Sequence, residues 1–256
     1  MKIEEIKKYY NDLAKNNKST LPDFNFREIE IETICKYLES SDFVCDIGCG
    51  DGFSTVRFHE KCKRIIGVDY SYEMIKKAKK NYPNVTFCLY DVNVPMNSLT
   101  TDNNVIVNPH FDKIITERCL INLPSWNQQK KAIENIYHAL NDNGVFLMME
   151  CFKDGLDKIN DIRKILGVKE DKIVTHNRFF IKDEFEEWIV QFFNIVKIEY
   201  FGFYHIISRV VHPALVLPNE PKYDAKINDI ARKITQVLPD YWSGLGHNVF
   251  YILKKN

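Results

Sequence analysis

The chain has 256 residues, 45% of them hydrophobic and 27% charged, and its 35 Lys+Arg balance 35 Asp+Glu to leave no net charge. That length buries one large core as a single α/β domain with insertions, or two small domains. The charge balance removes the whole-protein basic field on which most nucleic-acid binders rely, and no run of roughly 18 apolar residues is present to span a membrane.

The first residues, MKIEEIKKYYNDLAKNNKST, are charged throughout and lack an apolar signal core, which predicts a cytoplasmic chain. Seven cysteines (35, 45, 49, 62, 88, 119, 151) are odd in number, scattered and without a C-x-x-C pair. They read as reduced, buried thiols rather than a disulfide framework, and no close ligand spacing points to a metal.

Residues 1–27 form an amphipathic segment that we read as an N-terminal cap. A helix is predicted over 28–39, a buried strand over 43–48 closed by glycines, a helix over 53–62, a strand over 64–69 and a helix over 72–82. The strand 85–91 follows, then a polar loop to 111, the strand 111–116, a helix over 126–140 and the strand 145–151. Strands of four to six apolar residues alternating with amphipathic helices predict a mostly parallel sheet covered on both faces. The last third departs from this rhythm. Residues 182–193 look helical, 195–211 strand-like, 212–244 hold four prolines and one helix near 224–237, and 248–255 close as a strand. We expect the last two strands to pair antiparallel, with 203–246 inserted as a second cap, all within a single domain of residues 1–256.

The stretch Val44-Cys45-Asp46-Ile47-Gly48-Cys49-Gly50-Asp51-Gly52-Phe53 ends a predicted strand and opens a helix. Glycines there let the backbone turn tightly and come close to a ligand. Asp69 ends the next strand, where a carboxylate can accept both hydroxyls of a ribose, and Asp91 ends the one after, within reach of a purine amine. A dinucleotide fingerprint needs a glycine at 53, which is Phe; the pattern is instead D-x-G-x-G-x-G, with an acidic residue where a diphosphate would be repelled and an ammonium attracted. S-adenosylmethionine combines adenine, free ribose hydroxyls and an ammonium.

With VCDIGCGDG, GVDYSYEMI, CLYDV, FDKIITERCLINL and LNDNGVFLMME in order, the chain resembles the class I S-adenosylmethionine-dependent methyltransferases over roughly residues 28–152. The resemblance implies a Rossmann-like, seven-stranded sheet with an antiparallel C-terminal pair and helices on both faces. It implies that Asp46, Gly48, Cys49, Gly50 and Gly52 hold the methionine part, Asp69 the ribose, Tyr70 and Met74 the adenine plane, and Asp91 with Val92 the adenine edge; S-adenosylhomocysteine would be the product. Arg27 could pair with the cofactor carboxylate, and Glu117 lies at a strand end facing the cofactor. The segments ERCLINLPSW and YHIISRVV are similar, less specifically, to bacterial methyltransferases found among capsule and surface-polysaccharide genes.

For the acceptor, Glu117 could be a base or an anchor, or simply the ion-pair partner of Arg118. Tyr204, His205, Arg209 and His212, with His176 upstream, could bind a phosphate or carboxylate; a helix over 205–212 would put both its histidines and Arg209 on one face, whereas a strand would exclude His212. Tyr9 and Tyr10 could form a lid, and Phe203, Tyr204, Tyr241 and Trp242 could wall the pocket. The string Asn108-Pro109-His110-Phe111 resembles a signature of amino-group methyltransferases but precedes the fourth strand of the sheet, so it is set aside. The expectation is a methyltransferase with Glu117 and His205 as catalytic residues and Tyr9, Tyr10, Arg118, His176, Tyr204 and Arg209 around a small-molecule acceptor, O-methylating a sugar- or phosphate-bearing metabolite. No metal, nucleic acid or membrane enters, and the state is monomer or homodimer. The rivals are a cofactor-binding subunit without turnover and an aminopropyl transferase.

Overall fold

The computed structural model describes residues 3–16, 22–102, 104–238, 242 and 244–256. Its strands are β1 (Phe43–Ile47), β2 (Arg64–Asp69), β3 (Thr86–Leu89), β4 (Ser98–Thr100), β5 (Val105–Val107), β6 (Phe111–Glu117), β7 (Leu140–Cys151), β8 (Phe193–Tyr200) and β9 (Asn248–Lys255). Seven of them form one sheet in the order β3-β2-β1-β6-β7-β9-β8, while β4 and β5 pair as a separate antiparallel hairpin. The five strands from β3 to β7 run parallel, and β9 lies antiparallel to both β7 and β8. This is the Rossmann-like architecture with its reversed ending.

The helices are α1 (Ile3–Lys15), α2 (Phe24–Cys35), α3 (Phe53–His59), α4 (Tyr72–Asn81), α5 (Trp126–Ala139), α6 (Lys153–Ile165), α7 (Lys182–Ile189), α8 (Gly202–His205), α9 (His212–Val216) and α10 (Lys226–Thr235). A π-helical turn, Ile206–Val211, joins α8 to α9. Side-chain caps set several starts: Asp23 accepts from the Phe26 N–H, Ser71 from Met74 and Ser125 from Gln128, each satisfying a donor that the helix leaves open. Alternate residues of the strands feed two separate cores. Ile114, Met148 and Tyr251 face one side with α5 and α7, whereas Ile115, Leu147 and Phe250 face the other with α2 and α3. No helix among the described residues is long and apolar enough to cross a membrane.

Four sequence expectations need correction. The strand-like run 195–211 is a strand only to Tyr200, and its remainder is helical. Continuous apolar residues do not distinguish a buried strand from a buried helix, and here Tyr204, His205 and Ser208 all turn inward, with Tyr204 and His205 against Phe26. The polar loop before 111 contains the β4–β5 hairpin, whose three-residue strands are too short to leave a periodic trace. Helix α6 was not anticipated. The helix expected over 28–39 runs instead from Phe24 to Cys35, pulled forward by the Asp23 cap.

Candidate active site

The carboxyl ends of β1, β2, β3 and β6 lie side by side, and a cavity of about 370 Å³ opens along them. Its first wall is the glycine turn. Gly48 has φ +79°, and the Gly48 and Cys49 N–H groups donate to the Val68 carbonyl at 2.8 and 3.1 Å. A Cβ on Gly48 would stand 2.5 Å from Cys119 Sγ, so no larger residue fits between the turn and the segment after β6.

Asp69 closes the same end. Its carboxylate accepts from the Gly50 N–H at 3.0 Å and the Ser71 N–H at 2.8 Å. Burial pushes its pKa up to about 6 against the pull of those donors. Asp91 accepts from the Asn93 N–H at 2.9 Å, and Tyr70, Met74 and Val92 complete the wall.

Beyond the strand ends the cavity runs under α1 to a second wall made by Leu156 of α6, Phe179, Arg209, Tyr223 and His247. The apolar side of α1 (Ile3, Ile6, Tyr9, Tyr10, Leu13) is the roof. It is fastened by Tyr10 Oη donating to Asn122 Oδ1 at 2.8 Å and Ser71 Oγ donating to Asn11 Oδ1 at 2.7 Å. His176 sits beneath it, 4.7 Å from the Tyr9 ring and 5.9 Å from that of Tyr10.

Two buried arginines shape the floor. Arg118, at φ +52°, lies between Glu117 (3.2 Å) and Glu30, which also receives Asn248 Nδ2 at 3.2 Å. Burial lifts the Glu30 carboxyl to about 8 although Arg118 draws it down. Arg209 pairs with Asp23 at 2.8 Å, and Tyr204 Oη donates to the same carboxylate at 2.7 Å. Asp23 is therefore both a helix cap and the counter-charge of a cavity-lining guanidinium.

Of the residues singled out from sequence, Tyr9, Tyr10, Gly48, Gly50, Asp69, Tyr70, Met74, Asp91, Val92, Glu117, Arg118, His176 and Arg209 line this one cavity. Six do not. Asp46 is buried beneath the glycine turn, where it accepts from Thr55 Oγ1 at 2.6 Å, and burial raises it to about 7. It braces the turn from behind and does not line the cavity. Cys49 points into the core and Gly52 is the N-cap of α3. The Arg27 guanidinium lies 3.9 Å over the Phe53 ring and 3.8 Å from Asp51. Tyr204 is spent on Asp23. His205 is wholly buried against Phe26 with neither ring nitrogen hydrogen-bonded, and burial drives its pKa well below the usual imidazole range. It stands behind the cavity wall, so its assignment to the acceptor is corrected. His212 is buried off the cavity too, Phe203 packs on Trp242 at 6.0 Å, and Tyr241 lies outside the described residues.

Sequence reasoning missed Asp23, Glu30 and His247. The first shows only as a capping residue, the second as one acid among several on α2, and the third as a single residue before a strand; none belongs to a local pattern.

The cavity fits S-adenosylmethionine on its own chemistry. Carboxylates stand at two consecutive strand ends, and lining residues Tyr70, Asn93 and Asn177 each carry a buried polar atom (Oη, Oδ1, Oδ1) with no protein partner. Among the described residues no group of three or more His, Cys, Asp or Glu could hold a metal.

Comparisons with known proteins agree. The chain is 31% identical over 145 residues to an uncharacterized protein of Methanocaldococcus jannaschii, covering 56% of this chain and 50% of that one. It is 28% identical over 153 residues to an uncharacterized methyltransferase of Schizosaccharomyces pombe, covering 57% and 56%. The chain thus spans about half the length of the curated relatives it matches. In fold it is similar to a TehB-like SAM-dependent methyltransferase from Corynebacterium glutamicum, with a TM-score of 0.55, 12% identity and coverage of 99% and 98%. A methyltransferase-domain family model matches residues 38–192, which takes in the glycine turn, both strand-end aspartates and Arg118; the chain belongs to the methyltransferase domain family.

Proposed function

We propose that the protein is an S-adenosylmethionine-dependent methyltransferase acting on an oxygen nucleophile of a small molecule. One observation carries the reading: one cavity joins the glycine turn and the two strand-end aspartates to a separate wall under the α1 roof. When bound, the cofactor supplies an electrophilic methyl group on a sulfonium. Asp69 would accept from the ribose hydroxyls, Asp91 and Val92 would meet the adenine edge, and Tyr70 and Met74 would lie against its plane. The glycine turn, which only glycine fits against Cys119, would admit the methionine part. The α1 roof covers part of the cavity, and holding both partners aligned within it supplies much of the rate, roughly 7–11 kcal/mol where alignment is good.

Leu156, Phe179, Arg209, Tyr223 and His247 would receive the acceptor. A cavity roofed by a helix suits a free metabolite rather than a nucleic acid or a protein surface. The narrower expectation of a sugar- or phosphate-bearing metabolite of surface-polysaccharide synthesis draws no support from the matched proteins. An anionic acceptor is also disfavoured here, because Arg209 is already neutralised by Asp23 and His205 is out of reach.

Calorimetry with S-adenosylhomocysteine and transfer of a tritiated methyl group to a low-molecular-mass acceptor panel test the reading. Saturable binding and labelled small product are expected; no binding, or label only on RNA or protein, refutes it.

A further inference from the structure

Two of the seven histidines line the cavity, His176 under the roof and His247 at the far wall. The His247 backbone is fixed by the Phe152 N–H, which donates to its carbonyl at 2.6 Å from the end of β7. Its ring stacks on Phe179 (5.6 Å between centroids, 26° between planes) and lies 4.9 Å from the His205 ring. Gly246, at φ +84°, makes that approach possible, since a Cβ there would run into the His205 ring. Packing thus holds an imidazole rigidly against the cavity. Four cavity carboxylates are engaged: Glu117 with Arg118, Asp23 with Arg209 and Tyr204, Asp69 and Asp91 with backbone N–H groups; a fifth, Asp171, also lines the cavity and raises the proton affinity of His247.

We propose that His247 is the catalytic base that receives the acceptor's proton, and that the acceptor therefore enters as a neutral hydroxyl compound, an alcohol or phenol. This rests on reading the cavity as a methyl-transfer site. The acceptor O–H proton passes to an imidazole nitrogen, an oxygen lone pair bonds to the methyl carbon, and the carbon–sulfur bond breaks with its electron pair left on sulfur. One positive charge moves from sulfur to the imidazole.

The charged groups facing His247 are Arg209, Arg118 and Asp171, with His205 behind it. Burial and the two arginines hold its pKa down to about 4, with Asp171 opposing them, so the ring is neutral before transfer. A neutral imidazole can accept the proton that the acceptor loses on transfer.

The test uses the full chain. His247→Gln should keep S-adenosylhomocysteine affinity within about twofold, yet lose about 100-fold in kcat on a panel of simple phenols and alcohols at neutral pH, the usual span for a removed base. The loss should fall on kcat more than on KM, and the variant's rate should climb with pH as the acceptor ionises unaided. Undiminished kcat, or transfer confined to amines, thiols or carboxylates, overturns the proposal. A second measurement needs no acceptor. Diethyl pyrocarbonate followed by mass spectrometry should modify His247 much faster than His205 in the wild type, and equal or absent modification overturns the assignment. Failure of the wild type to bind S-adenosylhomocysteine would instead strike the methyltransferase reading. Should His247→Gln unfold, His247→Asn serves in its place, and the wild-type modification pattern stands regardless.

Discussion

At the strand-edge end of the cavity, Gly48, Gly50, Asp69 and Asp91 are held by backbone: each lies at or just after the end of a strand in the parallel sheet, and hydrogen bonds to main-chain groups set its position. At the cap end, Leu156, Phe179, Arg209, Tyr223 and His247 come from segments scattered over the last hundred residues and are held by side chains: Asp23 on Arg209, Phe179 and His205 on His247, and the Tyr223 ring 4.9 Å from the Arg209 guanidinium. Backbone geometry recognises a ligand that never changes, whereas a wall assembled from side chains can be altered without disturbing the sheet. The contrast predicts that damage to the first end abolishes cofactor binding, and damage to the second falls on stability and acceptor use.

The largest effect should follow Gly48→Val. A Cβ at φ +79° would overlap Cys119 Sγ, and left-handed strain of about 1–3 kcal/mol adds to that overlap, so S-adenosylhomocysteine affinity should fall more than about 100-fold by calorimetry. Retained affinity would break the claim that the turn is the cradle.

Next comes the cap end. Asp23→Ala leaves the largely buried Arg209 guanidinium without its carboxylate and removes a helix cap, which should cost about 3–5 kcal/mol in urea unfolding, while Glu30→Ala should cost less, since Arg118 keeps Glu117. The variants that stay folded should still bind S-adenosylhomocysteine. If instead they unfold normally but lose the ligand, the two ends are coupled more tightly than their construction implies.

A smaller, graded effect concerns pH. The free Asp69 carboxyl keeps its proton up to about 6 because it is buried, while the ribose hydroxyls need the carboxylate as acceptor. Binding therefore releases a proton, and affinity should rise with pH through about 6 and level off above it. Titration calorimetry across that window checks the slope, which Asp69→Asn should flatten. The same raised pKa gives folding a contribution that is complete below the ordinary carboxyl value of 3.8 and lost as pH rises through about 6.

The smallest is Tyr10→Phe. Losing the bond to Asn122 should loosen the roof by about 1 kcal/mol, worth roughly a fivefold faster release of bound S-adenosylhomocysteine in stopped flow.

The α/β alternation, the mostly parallel sheet and the reversed C-terminal pair were legible because they rest on apolar period, on glycines where the backbone turns and on the family resemblance these carry. The same local reading led astray where it had to assign direction. Asp46 stands in the glycine motif, yet its carboxylate goes to Thr55 and not into the cavity, because side-chain direction in a strand depends on which face each residue takes. His205 and Arg209 were grouped by spacing, but only Arg209 reaches the cavity.

From its residues alone the chain determined an α/β alternation and a turn shaped for an adenosyl ligand, since hydrogen-bonded backbone and periodic burial act over a few positions at a time. The tertiary structure alone decided that α1 roofs the cavity, that Asp23 answers Arg209 across the chain, and that His247 faces inward with His205 behind it. Those outcomes depend on which distant surfaces pack together, and no short stretch of sequence carries that information.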